Sequence, residues 1–152
     1  MGAEAKLKKL GITLPPRPTP VANYIPSVRV GKLLFTAGHV PVRDGKPIVR
    51  GKLGRELSVE EGYKIAREVG LNLLATVRAA LGSLDKVKRV VKVLAMVASA
   101  EGFTDQPKVI NGFSDLMVEV FGEGGRHARS AVGLAELPLG VPIEIEMILE
   151  VK

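Results

Sequence analysis

Arg129 and Glu144 are the residues whose types and settings best suit chemistry. Arg129 stands before a run of small residues, Ser130-Ala131-Val132-Gly133. Its guanidinium is a planar fork of donors that grips a carboxylate through two parallel bonds, a geometry lysine cannot copy. An ion pair with a glutamate across a subunit interface would use the same fork. Glu144 lies in Ile143-Glu144-Ile145-Glu146-Met147, where apolar and acidic residues alternate. A period of two puts Ile143, Ile145, Met147 and Leu149 on one face of a strand and Glu144 and Glu146 on the other. A glutamate shielded from bulk water can hold and activate a water molecule. Glu146 suits that task equally by chemistry alone, and a solvated or arginine-paired acid is the plainer use of either.

Other candidates carry weaker chemistry. Tyr24 follows a proline-rich stretch and offers a hydroxyl or ring to a ligand, or simply anchors that stretch by packing. Asn111 falls within an apolar helical stripe near Val109 and Ile110, where an exposed asparagine is the ordinary case. His39 and His127 are the only side chains that ordinarily titrate near neutral pH. Acid–base chemistry would use them, RNA cleavage through the 2′-hydroxyl included, although a structural or solvated role is the commoner one. Gly122 to Gly125 lacks the preceding strand and the following Lys-Ser/Thr of a phosphate loop and reads as a helix exit.

Composition narrows the field. The chain has 152 residues, 46% hydrophobic and 25% charged, which suits one globular domain with a sizeable core. It has no cysteine, excluding disulfides and thiolate catalysis, and its two histidines make a histidine-rich metal centre unexpected. Net charge is +6, enough to attract nucleic acid or anionic metabolites, yet the basic residues are scattered and aromatics are few. No apolar run reaches membrane-spanning length; Val93 to Ala98 is strand-sized. Met1-Gly2-Ala3-Glu4 does not start an apolar signal core, so a cytoplasmic location and no membrane partner are expected.

The elements that must position these residues follow from periodicity. Ala3 to Leu10 reads as a short helix stopped by Gly11, and Leu14 to Pro20 as an extended proline arm. Ser27 to Val30 and Leu33 to Ala37 read as strands turning at Gly31-Lys32, with a further turn at Asp44-Gly45 and a short third strand over Pro47 to Val49. Ser58 and Glu61 form a capping box for a long helix ending at Gly82. Val87 to Ala98 reads as a central strand. A second helix starts near Thr104-Asp105 with Pro107 in its first turn, and strands follow at Ser130 to Glu136 and Ile143 to Val151. The expected order is β-β-β-α-β-α-β-β, an α+β domain with one mixed sheet and two helices on one face. The uncovered face, half apolar and half charged, suggests a subunit interface.

The ordered set of motifs resembles the Rid/YjgF family, the reactive intermediate deaminases, also called the L-PSP endoribonuclease family. The resemblance rests on Tyr24 before the hairpin glycine Gly31, Leu34-Phe35-Thr36-Ala37-Gly38-His39-Val40-Pro41, the elements Val87 to Val97 and Phe103 to Phe121, Ala128-Arg129-Ser130, Leu137-Pro138 and Ile143-Glu144-Ile145-Glu146. It covers residues 21–152, leaving residues 1–20 as an N-terminal helix and proline-rich arm. It implies a chorismate-mutase-like fold, a homotrimer with sites in clefts between subunits, and neither metal nor organic cofactor. By residue, it implies that Arg129 grips a substrate carboxylate and that Glu144 orients a water. Tyr24, Gly38, Asn111 and Ala131 would line the cleft.

The implied activity is hydrolysis of enamine and imine carboxylates such as 2-aminoacrylate to 2-oxo acids and ammonia. A non-catalytic module for 2-oxo acids would keep Arg129 without the activated water. The endoribonuclease of the older family name draws support here only from positive charge and two histidines. The chain departs from the family pattern in four places: Ala131 where cysteine is frequent, Ala37 where serine is, His39 where glutamine is, and His127 where proline is.

Overall fold

The computed structural model describes residues 1–20 and 22–152; Val21, where the family-like portion was expected to begin, lies outside the described residues. The N-terminal helix α1 is Ala3–Lys9. Strands β1 (Ser27–Val30) and β2 (Leu33–Thr36) form the expected hairpin, with Gly31 at positive φ in its turn. A second, very short hairpin joins β3 (Val42–Arg43) to β4 (Lys46–Pro47) through Asp44 and Gly45, both at positive φ as a type I′ turn requires.

Helix α2 spans Val59–Leu81. Its capping box is present in full: Glu61 N donates to Ser58 Oγ, and Ser58 N donates to Glu61 Oε2. Gly82 ends it in the left-handed conformation. Strand β5 is Val87–Ala98, helix α3 is Gln106–Phe121, strand β6 is Ala128–Leu134 and strand β7 is Ile143–Val151.

The five-stranded sheet has the order β1-β2-β7-β5-β6. Among the described strands of this sheet β5 and β6 alone run parallel, which makes the sheet mixed, and β6 is an edge. The expected third strand is shifted: β4 begins at Lys46, stops at Pro47 and pairs with β3 alone, outside the main sheet. Proline has no N–H to give a ladder, which restricts it to short or edge pairings.

Alternation along β7 resolves as expected. Ile143, Ile145, Met147, Leu149 and Val151 are buried beneath the helices, while Glu144, Glu146, Ile148 and Glu150 face the other way. Val93, Ala95 and Val97 of β5 continue the buried face toward Val109, Ile110, Phe113, Leu116 and Met117 of α3. The two long helices meet closely: a Cβ on Gly112 would run into the backbone carbonyl oxygen of Tyr63. Across that seam Arg67 and Glu119 form a two-pronged ion pair at 2.7 and 3.2 Å.

Helix α1 also belongs to the packed unit. Ala3 and Leu7 are buried in the main core, and Glu4 holds Arg78 of α2 through both carboxylate oxygens. Among the described residues no helix covers the opposite sheet face. Val28, Val30, Phe35 and Val132 there are between 38% and 63% exposed, an apolar surface suited to a second protein face.

Candidate functional site

The register of the sheet places Arg129 and Glu144. Arg129 is level with Val93, whose side chain is in the helix-facing core, and so its own side chain turns toward α3. Nη1 donates to Asn111 Oδ1 and to Ser114 Oγ, each at 3.0 Å, and Nη2 donates to the Pro107 carbonyl at 3.3 Å. Pro107, Asn111 and Ser114 recur at helical spacing and form one stripe of α3 along the sheet edge. Three of the five guanidinium donors are thereby used. Nε–H and one Nη2–H have no partner among the described residues, nor does any carboxylate there come within ion-pair distance. Those two donors lie side by side, the arrangement that a carboxylate matches in bidentate fashion. Partial burial lowers the Arg129 pKa somewhat, offset in part by Asp115, and an arginine so placed stays charged.

Glu144 faces the other way. It is level with Met96 on β5, on the face with Glu146, Leu94 and Val132. It is half-buried and has neither a hydrogen-bond donor nor a cation against it among the described residues. Burial pushes its carboxyl above the ordinary glutamate value, and the Glu146 charge adds to the rise.

Gly38 is what lets Glu144 lie where it does. A Cβ on Gly38 would sit 2.5 Å from Glu144 Oε2, so any larger residue would push the carboxylate out of its present place. The next residue, His39, fixes this backbone by pairing with Ile145 through both N–H and C=O. Its ring is buried, with Nδ1 donating to the Ala37 carbonyl at 2.8 Å and Nε2 accepting from Thr76 Oγ at 2.7 Å. Burial lowers its pKa, against the pull of Ala37.

A cleft of about 430 Å³ opens beside Gly38. Tyr24, Pro18, His39, Asn72 and Leu139 line it, with the proline arm as one wall. Asn72 is buried and braces the rim by donating to the carbonyls of Val40 and Val42.

The six candidate residues therefore fall into two groups within one chain. Arg129 and Ala131 of β6 face α3, which carries Asn111, with Ala131 two residues beyond Arg129 and partly buried against the core. Gly38 and Tyr24 line the cleft at the other side, with Glu144 lying against Gly38. The register puts the Arg129 and Glu144 Cα atoms about 14 Å apart at ordinary sheet spacings, with side chains on opposite faces.

Sequence reasoning missed Ser114, which touches both Arg129 and His127. Its signal was its place three residues after Asn111 and seven after Pro107, on one stripe of a helix. Neither histidine is free: His127 bonds Gly125 and Ser114 as His39 bonds Ala37 and Thr76. Among the described residues no cluster of three or more metal-ligating side chains occurs, and no helix is long and apolar enough to cross a membrane.

A mixed sheet with helices on one face, an arginine-bearing edge strand and a glutamate on the open face defines an α+β class of single-domain protein. The family model described as "YjgF/chorismate_mutase-like, putative endoribonuclease" matches residues 4–148, and the chain belongs to that family. It is 45% identical over 149 residues to Protein TCP17 of Trypanosoma cruzi, covering 97% of this chain and 93% of that one. It is 32% identical over 143 residues to the 2-iminobutanoate/2-iminopropanoate deaminase of Dermatophagoides farinae, covering 93% of this chain and 95% of that protein. Among solved structures, protein Atu1372 of Agrobacterium tumefaciens, of unknown function, superposes with a TM-score of 0.88 at 44% identity, covering 98% of this chain and 91% of that one.

Proposed function

We propose that this protein is a cofactor-free hydrolase that converts small imine and enamine carboxylates to 2-oxo acids and ammonia, in clefts between the subunits of a homotrimer. One observation carries the reading: Arg129 is a braced guanidinium with an adjacent pair of unused donors and no acidic partner among the described residues. The relative named 2-iminobutanoate/2-iminopropanoate deaminase supports the substrate class. The exposed apolar rows of the open sheet face support assembly.

Arg129 takes the substrate carboxylate side-on and fixes the C=N carbon relative to it. Glu144, with its carboxyl raised by burial and Glu146, accepts a proton from a bound water. The water oxygen bonds to the imine carbon as the C=N π pair takes up a proton at nitrogen. The carbinolamine hydroxyl proton is then transferred to the amine nitrogen as the C–N bond breaks, which releases ammonia and leaves the 2-oxo acid. Water and imine in thus balance 2-oxo acid and ammonia out.

The opposite facing of Arg129 and Glu144 supports a cleft that draws them from different subunits. The test follows from that reading. Imines produced in situ by an amino-acid oxidase are followed with wild-type protein, Arg129→Ala, Glu144→Gln and a co-refolded equal mixture of the two variants. Each variant alone is inactive, whereas the mixture regains about a quarter of wild-type activity, the fraction of clefts that receive both intact residues at random. Unchanged imine decay with wild-type protein would sink the activity, and a silent mixture would sink the shared cleft.

A further inference from the structure

Behind Arg129 runs a chain of hydrogen bonds whose direction chemistry dictates. The Gly125 carbonyl can only accept, so His127 Nδ1, 2.7 Å away, carries the ring proton. Nε2 of that neutral ring is then an acceptor, and the Ser114 hydroxyl donates to it over 2.9 Å. A guanidinium can only donate, so the Ser114 oxygen receives Arg129 Nη1 at 3.0 Å. Because the single serine proton is committed to His127, the lone pairs of Ser114 are turned to Arg129. The ring plane is fixed in turn by edge-on packing against the fully buried Phe113, with centroids 5.9 Å apart.

We infer that His127, acting through Ser114, is a positioning residue that sets the roll of the Arg129 guanidinium, so that Nε–H and the free Nη2–H point at a carboxylate ligand. The inference rests on the reading of Arg129 as the carboxylate grip. Asn111 alone leaves one Nη1 hydrogen unheld, and the Pro107 bond is long at 3.3 Å. The Ser114 bond holds that second hydrogen and adds to the bracing of the plane. Burial and the nearby Arg129 charge both keep His127 neutral, in the form that accepts from serine. Proline, the residue expected at position 127 from the family pattern, could neither donate to Gly125 nor accept from Ser114.

The experiment compares wild-type protein with His127→Ala, His127→Gln, Ser114→Ala and Arg129→Ala, with 2-iminobutanoate kinetics and calorimetric binding of 2-oxobutanoate. His127→Ala and Ser114→Ala raise KM and the 2-oxobutanoate Kd about tenfold with kcat within about twofold, the pattern of a lost bond to a charged group. His127→Gln, whose amide oxygen can accept from Ser114, recovers most of that loss. Nitrogen-15 spectra of the wild-type imidazole show Nδ1 protonated and Nε2 bare, a readout that stands even where the alanine variants fold poorly.

An Nε2-protonated ring, or equal loss of affinity in His127→Gln and His127→Ala at unchanged melting temperature, would overturn the inference. Wild-type affinity in His127→Ala together with abolished binding in Arg129→Ala overturns the relay and leaves the carboxylate grip intact. Unchanged binding in Arg129→Ala overturns the grip itself and the relay with it.

Discussion

Gly38 and Glu144 occupy one space: the carboxylate Oε2 stands 2.5 Å from where a Cβ of residue 38 would be. The glycine is not at positive φ, so the contact and not the backbone conformation demands it. An acid without a partner among the described residues is thus seated against bare backbone, beside a cleft.

Replacing Gly38 with alanine therefore displaces the Glu144 carboxylate. Expected is a fall of about 10²-fold or more in imine turnover with little loss of stability, because the contacted atoms are the far end of a flexible side chain that can swing aside. Coupled-assay kinetics and urea unfolding measure the two. Wild-type turnover in a folded Gly38→Ala protein would show that the position of Glu144 is immaterial.

Glu144→Gln separates stability from function. Its carboxyl is raised in the folded protein, so the folded state holds the proton more tightly than the unfolded state does. Wild-type stability consequently declines as pH rises from the ordinary value of 4.5 through the raised one. Glutamine carries no such penalty. The variant melts at or above wild type at pH about 7, converges with it near pH about 4, and loses turnover. A variant less stable than wild type at neutral pH contradicts the raised carboxyl.

His39 gives the opposite pH signature. Its pKa is lowered from 6.5, mainly by burial, so the unfolded chain takes the proton first as pH falls. Stability from this site is complete above 6.5, declines below it, and levels off once the folded ring also protonates. His127 is lowered too and adds to the same slope. Melting temperatures between pH about 7.5 and 5 should fall in the wild type and fall less in His39→Gln, whose amide can still accept from Thr76. Equal slopes in the two proteins would count against the buried neutral ring.

The open sheet face provides the assembly test. Val28 and Phe35 pair across β1 and β2 beside Ile148, and Val132 lies level with Met96. A Phe35→Glu substitution puts a charge into that apolar row. Sedimentation should then report trimers for the wild type and monomers for the variant, with turnover lost although Phe35 touches neither Arg129 nor Glu144. An active monomer would show that the cleft needs no second subunit.

Local patterns carried the elements well. The capping box at Ser58 and Glu61, the left-handed Gly82 and the alternation of β7 are set by neighbours in sequence, and each lies where the pattern placed it. The third strand was harder to place, because a two-residue ladder ending in Pro47 has almost no periodicity to read. Ser114 was missed because a serine within an apolar stripe looks like any helix surface until Arg129 is folded against it.

From the sequence alone came the side-chain chemistry: an arginine at a strand edge, alternating glutamates, no cysteine, and motif order enough to mark the family resemblance. Tertiary structure alone decided which groups meet. Strand register, fixed by which face buries isoleucine, turned Glu144 away from Arg129, and the packing of α3 on the edge strand gave Arg129 its braces. A period of two tells which residues share a face of one strand. Only the pairing of β6 with β5, and of β5 with β7, tells on which side of the molecule each face lies.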